Sequence, residues 1–183
     1  IGDICTAEQY PAEDQPFEVR LLSDGSVLMN TLMCGIYRIN DIDTDKPSIK
    51  LALNYPDLFG CSVPTIIDRY LVLPAMFSET ILVLDISQPD NIREVSRFDT
   101  PGYQPHWAAL DPGASRIVVT SSGTAPTYTV LMFDFDLVNG TLSLDTSFGS
   151  SEFPRAGISF YRETWPHGET GTAVPHAAVF GYR

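Results

Sequence analysis

The sequence lacks long apolar runs, basic clusters and helix-like periodicity, and each absence excludes a class of protein. No apolar run approaches the roughly 18 residues that a membrane-spanning helix needs, so we expect no membrane segment. Lys and Arg number 11 against 23 Asp and Glu, and the formal net charge is −12. Such a surface repels the phosphate backbone, so we expect no nucleic-acid partner. What is left is a soluble globular chain whose apolar residues do not recur at the spacing of a helix.

Two common catalytic motifs are also missing. The sequence has no Gly-x-Ser-x-Gly elbow, the turn that carries the nucleophile of many serine hydrolases. It has no glycine-rich phosphate loop either, and Gly113, Gly123 and Gly140 lie in segments typical of turns. We therefore find no basis in the sequence for a serine hydrolase or a nucleotide-binding protein.

Cysteine is scarce, with only Cys5, Cys34 and Cys61. The odd number allows one disulfide and a free thiol, or three reduced thiols, so the chain fits a secreted or periplasmic protein and also a cytoplasmic one. For Cys34 and Cys61 the first interpretation is a small buried hydrophobe. The second is a disulfide between neighbouring units of the fold, and the third is a soft-metal ligand at Cys61.

Short apolar runs that alternate with turn signals fill the chain after an acidic lead-in over residues 1–16. Three units can be superposed, over residues 17–55, 62–99 and 105–148, and each contains four short runs rich in Val, Ile, Leu, Tyr and Phe. The sequence RYLV at 69–72 matches RIVV at 116–119, and ILVLD at 81–85 matches VLMFD at 130–134. A repeat of roughly 40–50 residues with four strands is typical of a β-propeller blade.

The predicted fold is therefore all-β, with about three complete blades and a terminal strand. Residues 149–174 are predicted to be a long loop, and residues 175–180 a closing strand that begins a further blade. Closed propellers have about four to eight blades. We thus expect the missing blades to come from the same precursor or from a second chain.

All three histidines of the chain follow a proline, in the sequences PHWAAL at 105–110, WPHG at 165–168 and PHAAVF at 175–180. His106 and His176 each open the predicted first strand of a blade, which lines the central channel of a propeller. His167 lies in the predicted loop between them. Imidazole is the commonest metal ligand near neutral pH, so the pattern predicts a metal site formed by His106, His167 and His176.

Further ligands of that site are predicted to be Glu163, Glu169 or Cys61, or else a water molecule or a histidine of a missing blade. An open site of this kind leaves room for a small-molecule substrate. The alternative is that each histidine packs beside its proline and bonds to backbone carbonyls, in which case the histidines are structural.

The sequences DGSVLMNT, PHWAALD, RIVVTSSG, VLMFDFD, NGTLSLD and WPHGETG, followed by PHAAVF, resemble those of YVTN-like propellers. Within these the chain is most similar to the selenium-binding protein and methanethiol oxidase group, over roughly residues 17–180. The resemblance implies a seven-bladed ring and a copper-dependent oxidase of small thiols with histidines at the metal. The cysteine site characteristic of that group is not evident here.

Two hypotheses of function follow. The first is a metal-dependent enzyme, of copper oxidoreductase type, acting on a small molecule at the channel mouth with a Cu, Zn or Fe ion. The second is a non-catalytic propeller used as a binding or assembly scaffold.

Overall fold

The computed structural model describes residues 15–121, 128–153, 155–162, 164–168 and 171–181. Three antiparallel sheets succeed one another along the chain, and in each of them four strands lie side by side in sequence order; a short fifth strand joins the third sheet. Sheet A consists of β1 (Pro16–Leu21), β2 (Val27–Thr31), β3 (Gly35–Asn40) and β4 (Ser48–Asn54). Sheet B consists of β5 (Thr65–Ile67), β6 (Tyr70–Ala75), β7 (Thr80–Asp85) and β8 (Arg93–Asp99). Sheet C consists of β9 (Pro105–Asp111), β10 (Arg116–Ser121), β11 (Thr129–Asp136) and β12 (Thr141–Leu144). The predicted all-β fold of four-stranded blades is confirmed.

The hairpins that open sheets A and C are formed by Asp and Gly residues. In sheet A, Gly25 has a φ of +84°, and the Asp24 carboxylate accepts a hydrogen bond from the backbone N–H of Ser26 at 2.9 Å. In sheet C, Asp111 accepts one from the backbone N–H of Gly113 at 3.0 Å. Such bonds satisfy backbone groups where the ladder is interrupted, so these residues fix where the chain reverses.

Sheet B lies between the other two sheets and buries both of its faces. Along β6, Tyr70 and Val72 pack into a cluster with sheet C, whereas Leu71 and Leu73 pack into a cluster with sheet A. Successive side chains of a strand point to opposite faces. The continuous apolar runs of β6 and β7 are therefore explained by a sheet that has a neighbour on each side.

Sheet A has one face packed on sheet B and a second face, which we call the outward face, that points away from sheet B. The apolar residues of the outward face are Val19, Leu21, Val27, Met29, Tyr37, Ile39, Ile49 and Leu51. Met29, Tyr37 and Ile49 are buried in a small cluster of their own, whereas other residues of this face are exposed. Val19 is 51% exposed, Leu21 68% and Leu51 45%. The sheet thus carries apolar residues on both faces, as a blade packed on both sides does, although in the described part of the chain a neighbouring sheet covers one of them.

The part of the chain after sheet C differs from the prediction in two places. Within the predicted loop 149–174, β13 (Ile158–Ser159) pairs with Thr129 and Val130 and so extends the edge of β11. Residues 175–180, where the closing strand is predicted, form no strand with the described part of the chain. A strand needs a ladder of partners for its backbone groups, whereas the hydrogen bonds described for this segment involve single side chains: Thr120 donates to the His176 carbonyl, and His106 bonds to the His176 backbone.

Candidate functional site

His106 is the second residue of β9, and its backbone is bonded to the chain just before β5. The Val63 N–H donates to the His106 carbonyl at 3.0 Å, and the Ala108 N–H donates to the Val63 carbonyl at 2.9 Å. Val63 and Trp107 accordingly form a parallel bridge. The first strands of sheets B and C therefore lie side by side at the inner edge of the blades, and His106, which is 7% exposed, stands at one end of them.

His176 lies directly beside His106, although 70 residues separate them in the sequence. The two ring centroids are 4.6 Å apart, with an interplanar angle of 47°. The Thr120 hydroxyl, on β10, donates to the His176 carbonyl at 2.9 Å and so holds the segment against sheet C. His106 is buried and His176 is exposed, so the pair extends from the protein interior to its surface.

The environment of His106 favours a neutral ring. Burial lowers its pKa below the ordinary value, the neighbouring His176 lowers it further, and a hydrogen bond to the His176 backbone partly offsets both effects. The buried Nδ1 atom has no hydrogen-bond partner among the residues that the structure describes. A neutral imidazole carries one lone pair that can take a proton or a metal ion, so this ring can act as a base or as a ligand.

His167 occupies a different environment from the other two histidines. Its ring stacks on Trp165, with centroids 6.5 Å apart and planes at 24°. Trp165 in turn donates its indole N–H to the Gly171 carbonyl at 2.8 Å and packs against Phe160. In the described part of the chain, no three His, Cys, Asp or Glu side chains are grouped so that they could hold a metal ion. The structure thus brings together two of the three predicted ligands and not the third.

The remaining predicted ligands have separate outcomes. Cys61 forms a disulfide with Cys34, and both residues are fully buried. The prediction of Cys61 as a metal ligand is therefore wrong, because a sulfur in a disulfide has no thiolate to offer. Glu163 and Glu169 lie outside the described residues, as does Cys5.

A cavity of about 290 Å³ lies along the inner strands, and we call it the channel; its lining begins at Trp107, next to His106, and includes neither histidine. It is bounded by residues 107–110 of β9, by residues 178–180, and by Arg20 and Pro64. The Arg20 guanidinium donates to the Pro64 carbonyl at 2.9 Å and 2.6 Å and pairs with Glu18 at 2.9 Å. Arg20 therefore fastens the first strand of sheet A to that of sheet B beside the channel.

Sequence reasoning missed two residues of this region. Phe17, on β1, lies edge-on to His106 with ring centroids 6.2 Å apart. Arg20 is the second, and both lie on the first strand of a blade. The rule that first strands line the channel would have identified them had it been applied to sheet A as it was to His106.

No family model matches the sequence, and no curated protein matches it. Solved structures do match. A protein of Bacteroides fragilis described as a candidate 6-phosphogluconolactonase is 14% identical with a TM-score of 0.59, and the match covers 71% of this chain and 37% of that one. The periplasmic gluconolactonase PpgL of Pseudomonas aeruginosa is 14% identical with a TM-score of 0.62, and the match covers 73% and 39%.

A third similar structure is the calcium structure of a carbohydrate-active enzyme of family AA12 from Trichoderma reesei. It is 14% identical with a TM-score of 0.52, over 73% of this chain and 41% of that one. Identities this low establish only the fold, which is of the β-propeller type and is used by enzymes. They give no support to the narrower resemblance to selenium-binding proteins.

The matched part of this chain spans about two fifths of the length of each of these structures. Among the described residues, no helix is long and apolar enough to cross a membrane.

Proposed function

We propose that this chain carries part of the active site of a metal-dependent β-propeller enzyme, with His106 and His176 as two of the metal ligands. The observation that carries the proposal is the pair of imidazoles 4.6 Å apart, one of which has a buried nitrogen without a partner among the described residues. Ligating nitrogens lie about 2.0–2.1 Å from zinc, so two rings at this spacing are close enough to share one ion.

The donor set agrees with zinc, copper, iron or nickel, all of which accept imidazole. A catalytic zinc site commonly has three protein ligands and one open position, so two histidines need a further donor. Glu163, Glu169 or a side chain from a further blade can supply it. A bound ion would polarise a substrate oxygen or acidify a water molecule, and the buried, neutral His106 ring would stay available to it near pH 7.

The substrate is proposed to be a small polar molecule that enters the channel. Two reactions are to be assayed first. One is hydrolysis of a sugar lactone, since two solved structures of the same fold are described as a candidate 6-phosphogluconolactonase and a periplasmic gluconolactonase. The other is copper-dependent oxidation of a small thiol, which the sequence resemblance implies.

We also propose that further four-stranded blades of the same precursor pack on the outward face of sheet A. Three apolar side chains on this face are about half exposed, and the same alternation in sheet B is covered on both sides. Apolar side chains exposed together on one sheet face are typical of an interface. The disulfide between Cys34 and Cys61 supports a secreted or periplasmic location, where disulfides persist.

The test is metal titration of the purified chain with Zn²⁺, Cu²⁺ and Fe²⁺, followed by calorimetry and elemental analysis. We expect one ion per chain, and we expect binding to weaken more than about 100-fold in a His106→Gln, His176→Gln double variant, since loss of supporting residues alone costs about 10- to 100-fold. The matched control is His167→Gln, which changes the third Pro-His pair and should bind as the wild type does.

Urea unfolding of each variant shows whether a loss of binding reflects a loss of fold. A wild-type chain that stays metal-free with all three ions would contradict the proposal and favour the scaffold. Equal binding by the double variant would place the metal elsewhere. The lactone and thiol assays are then made on the protein that carries the further blades.

A further inference from the structure

Residues 60–63 connect sheets A and B and are bonded to all three sheets, so we call them the tie segment. Sheet A holds it through four hydrogen bonds and a disulfide. The backbone N–H groups of Gly60 and Cys61 donate to the Leu32 carbonyl at 2.8 Å and 3.3 Å. The Asn30 amide donates to the carbonyls of Cys61 and Ser62 at 3.0 Å and 2.9 Å. The disulfide to Cys34 adds a covalent bond.

Sheets B and C hold the same segment through backbone bonds. The Ser62 N–H donates to the Pro74 carbonyl at 2.9 Å, and the Met76 N–H donates to the Gly60 carbonyl at 2.8 Å. The last residue of the tie segment, Val63, is the one bonded to the His106 carbonyl. The position of His106 therefore depends on where this segment lies.

The contact with the tie segment is the structural role that the described residues show for the Asn30 side chain. Asn30 is 3% exposed, and its Oδ1 has no hydrogen-bond partner in the described part of the chain. A buried polar atom without a partner is destabilising, so a buried asparagine in this state needs an explanation. Its two N–H bonds to the tie segment provide one.

We infer that Asn30 and the Cys34 to Cys61 disulfide are positioning residues, which set the place of the His106 ring relative to His176 by fixing the tie segment. The expected effect on metal binding rests on the proposed function. Its geometric content, the spacing of two rings, is independent of any metal.

The test compares three variants by NMR with labelled histidine, using the nuclear Overhauser effect between the rings of His106 and His176. Asn30→Leu removes both amide bonds and keeps the size of the side chain, and Cys34→Ala with Cys61→Ala removes the disulfide. The control is Phe135→Leu, a buried change at the far end of β11 in sheet C. We expect the ring–ring signal to fall to less than half in the first two and to stay unchanged in the control.

Metal affinity is measured on the same proteins, and we expect it to fall about 10- to 100-fold in Asn30→Leu, as for other residues that orient a ligand. Asn30→Leu keeps the disulfide, so it remains informative if the cysteine variant fails to fold. A ring–ring signal that is unchanged in folded Asn30→Leu, or reduced equally in the control, overturns the inference. A wild type that binds no metal while the signal still responds to Asn30→Leu would contradict only the proposed function.

Discussion

Sheets A and B both carry apolar residues on their two faces, but their surroundings differ. In β6 of sheet B, even- and odd-numbered residues are both buried, each set against a different neighbouring sheet. In β1 of sheet A, Val19 and Leu21 point to the outward face and are exposed. Apolar residues on both faces of sheet A indicate a sequence suited to packing on both sides. In the described part of the chain, a neighbouring sheet packs on one of these sides. The difference locates the interface at which further blades are proposed to bind.

The largest effect is expected from removing the disulfide, the covalent bond between sheet A and the entry to sheet B. The double variant Cys34→Ala, Cys61→Ala should lower the free energy of unfolding by about 3 kcal/mol, because the cross-link closes a chain segment with a sequence separation of 27. Urea unfolding of the variant and of the wild type measures it. A loss below about 1 kcal/mol would show that sheets A and B hold together without the bond.

A matched pair of valines tests the comparison directly. Val83 in β7 is fully buried between sheets, whereas Val19 is on the outward face. Val83→Ala should cost about 2 kcal/mol, because it removes buried methyl groups and leaves a cavity. Val19→Ala should change the stability of this chain by less than about 0.5 kcal/mol.

The same two variants are then made in the protein that carries the further blades. There, Val19→Ala should lower the free energy of unfolding more than it does in this chain alone. Equal losses for the two valines in this chain alone would mean that the outward face is already covered.

Tyr103 extends the comparison to sheet C. Its side chain is fully buried, and its hydroxyl lies 3.0 Å and 3.1 Å from the carbonyls of Val119 and Thr129, to which it can donate. Tyr103→Phe should cost about 1 kcal/mol, the net value of one buried hydrogen bond. Thermal unfolding measures the loss, with the exposed Tyr161→Phe as control. If both variants melt alike, the Tyr103 hydroxyl contributes nothing to the stability of the sheet.

The smallest effect concerns a polar contact between sheets A and B. The Tyr55 hydroxyl, just after β4, donates to the Glu94 carboxylate of β8 at 2.8 Å. The Arg97 side chain first, and Tyr55 next, lower the pKa of Glu94 below its usual value. The contact stabilises the fold above the unfolded-state pKa of Glu94, and this contribution is lost as the pH falls through the folded-state pKa.

Glu94→Gln should therefore flatten the acid limb of a stability-against-pH curve by less than about 1 kcal/mol, because the group is partly exposed and its ion pair is screened by solvent. Urea midpoints measured from pH 7 to pH 3 give the curve. An acid limb as steep in Glu94→Gln as in the wild type would contradict the assignment.

The three sheets could be predicted from the sequence because their signals are local. Asp24, Gly25, Asp111 and Gly113 mark two of the hairpins, and the apolar alternation between turns marks the strands. The residue that caps one hairpin lies two positions further along the chain than the sequence match indicates. The matched sequences align Asp85 with Asp134, and Asp85 accepts a hydrogen bond from the Ser87 N–H, but in sheet C the residue that caps the hairpin is Asp136.

The candidate site was harder to predict because it depends on contacts between distant segments. The prolines before His106 and His176 gave no distance between the rings, and the same dipeptide at His167 leads to a stack on Trp165 instead. The pairing of Cys34 with Cys61 depends on how sheet A meets the tie segment, which strand periodicity does not encode. The short β13 has too few residues to show any periodicity at all.

The central claim is that the segment after sheet C folds back against β10 and places His176 beside His106. The most direct measurement is the nuclear Overhauser effect between their ring protons in the wild-type chain. Signals are assigned by His106→Gln, His167→Gln and His176→Gln. We predict a strong cross-peak between the rings of residues 106 and 176, absent in the first and last variants and retained in the second. Ring protons of His106 that show contacts to Phe17 and none to His176 would contradict the account.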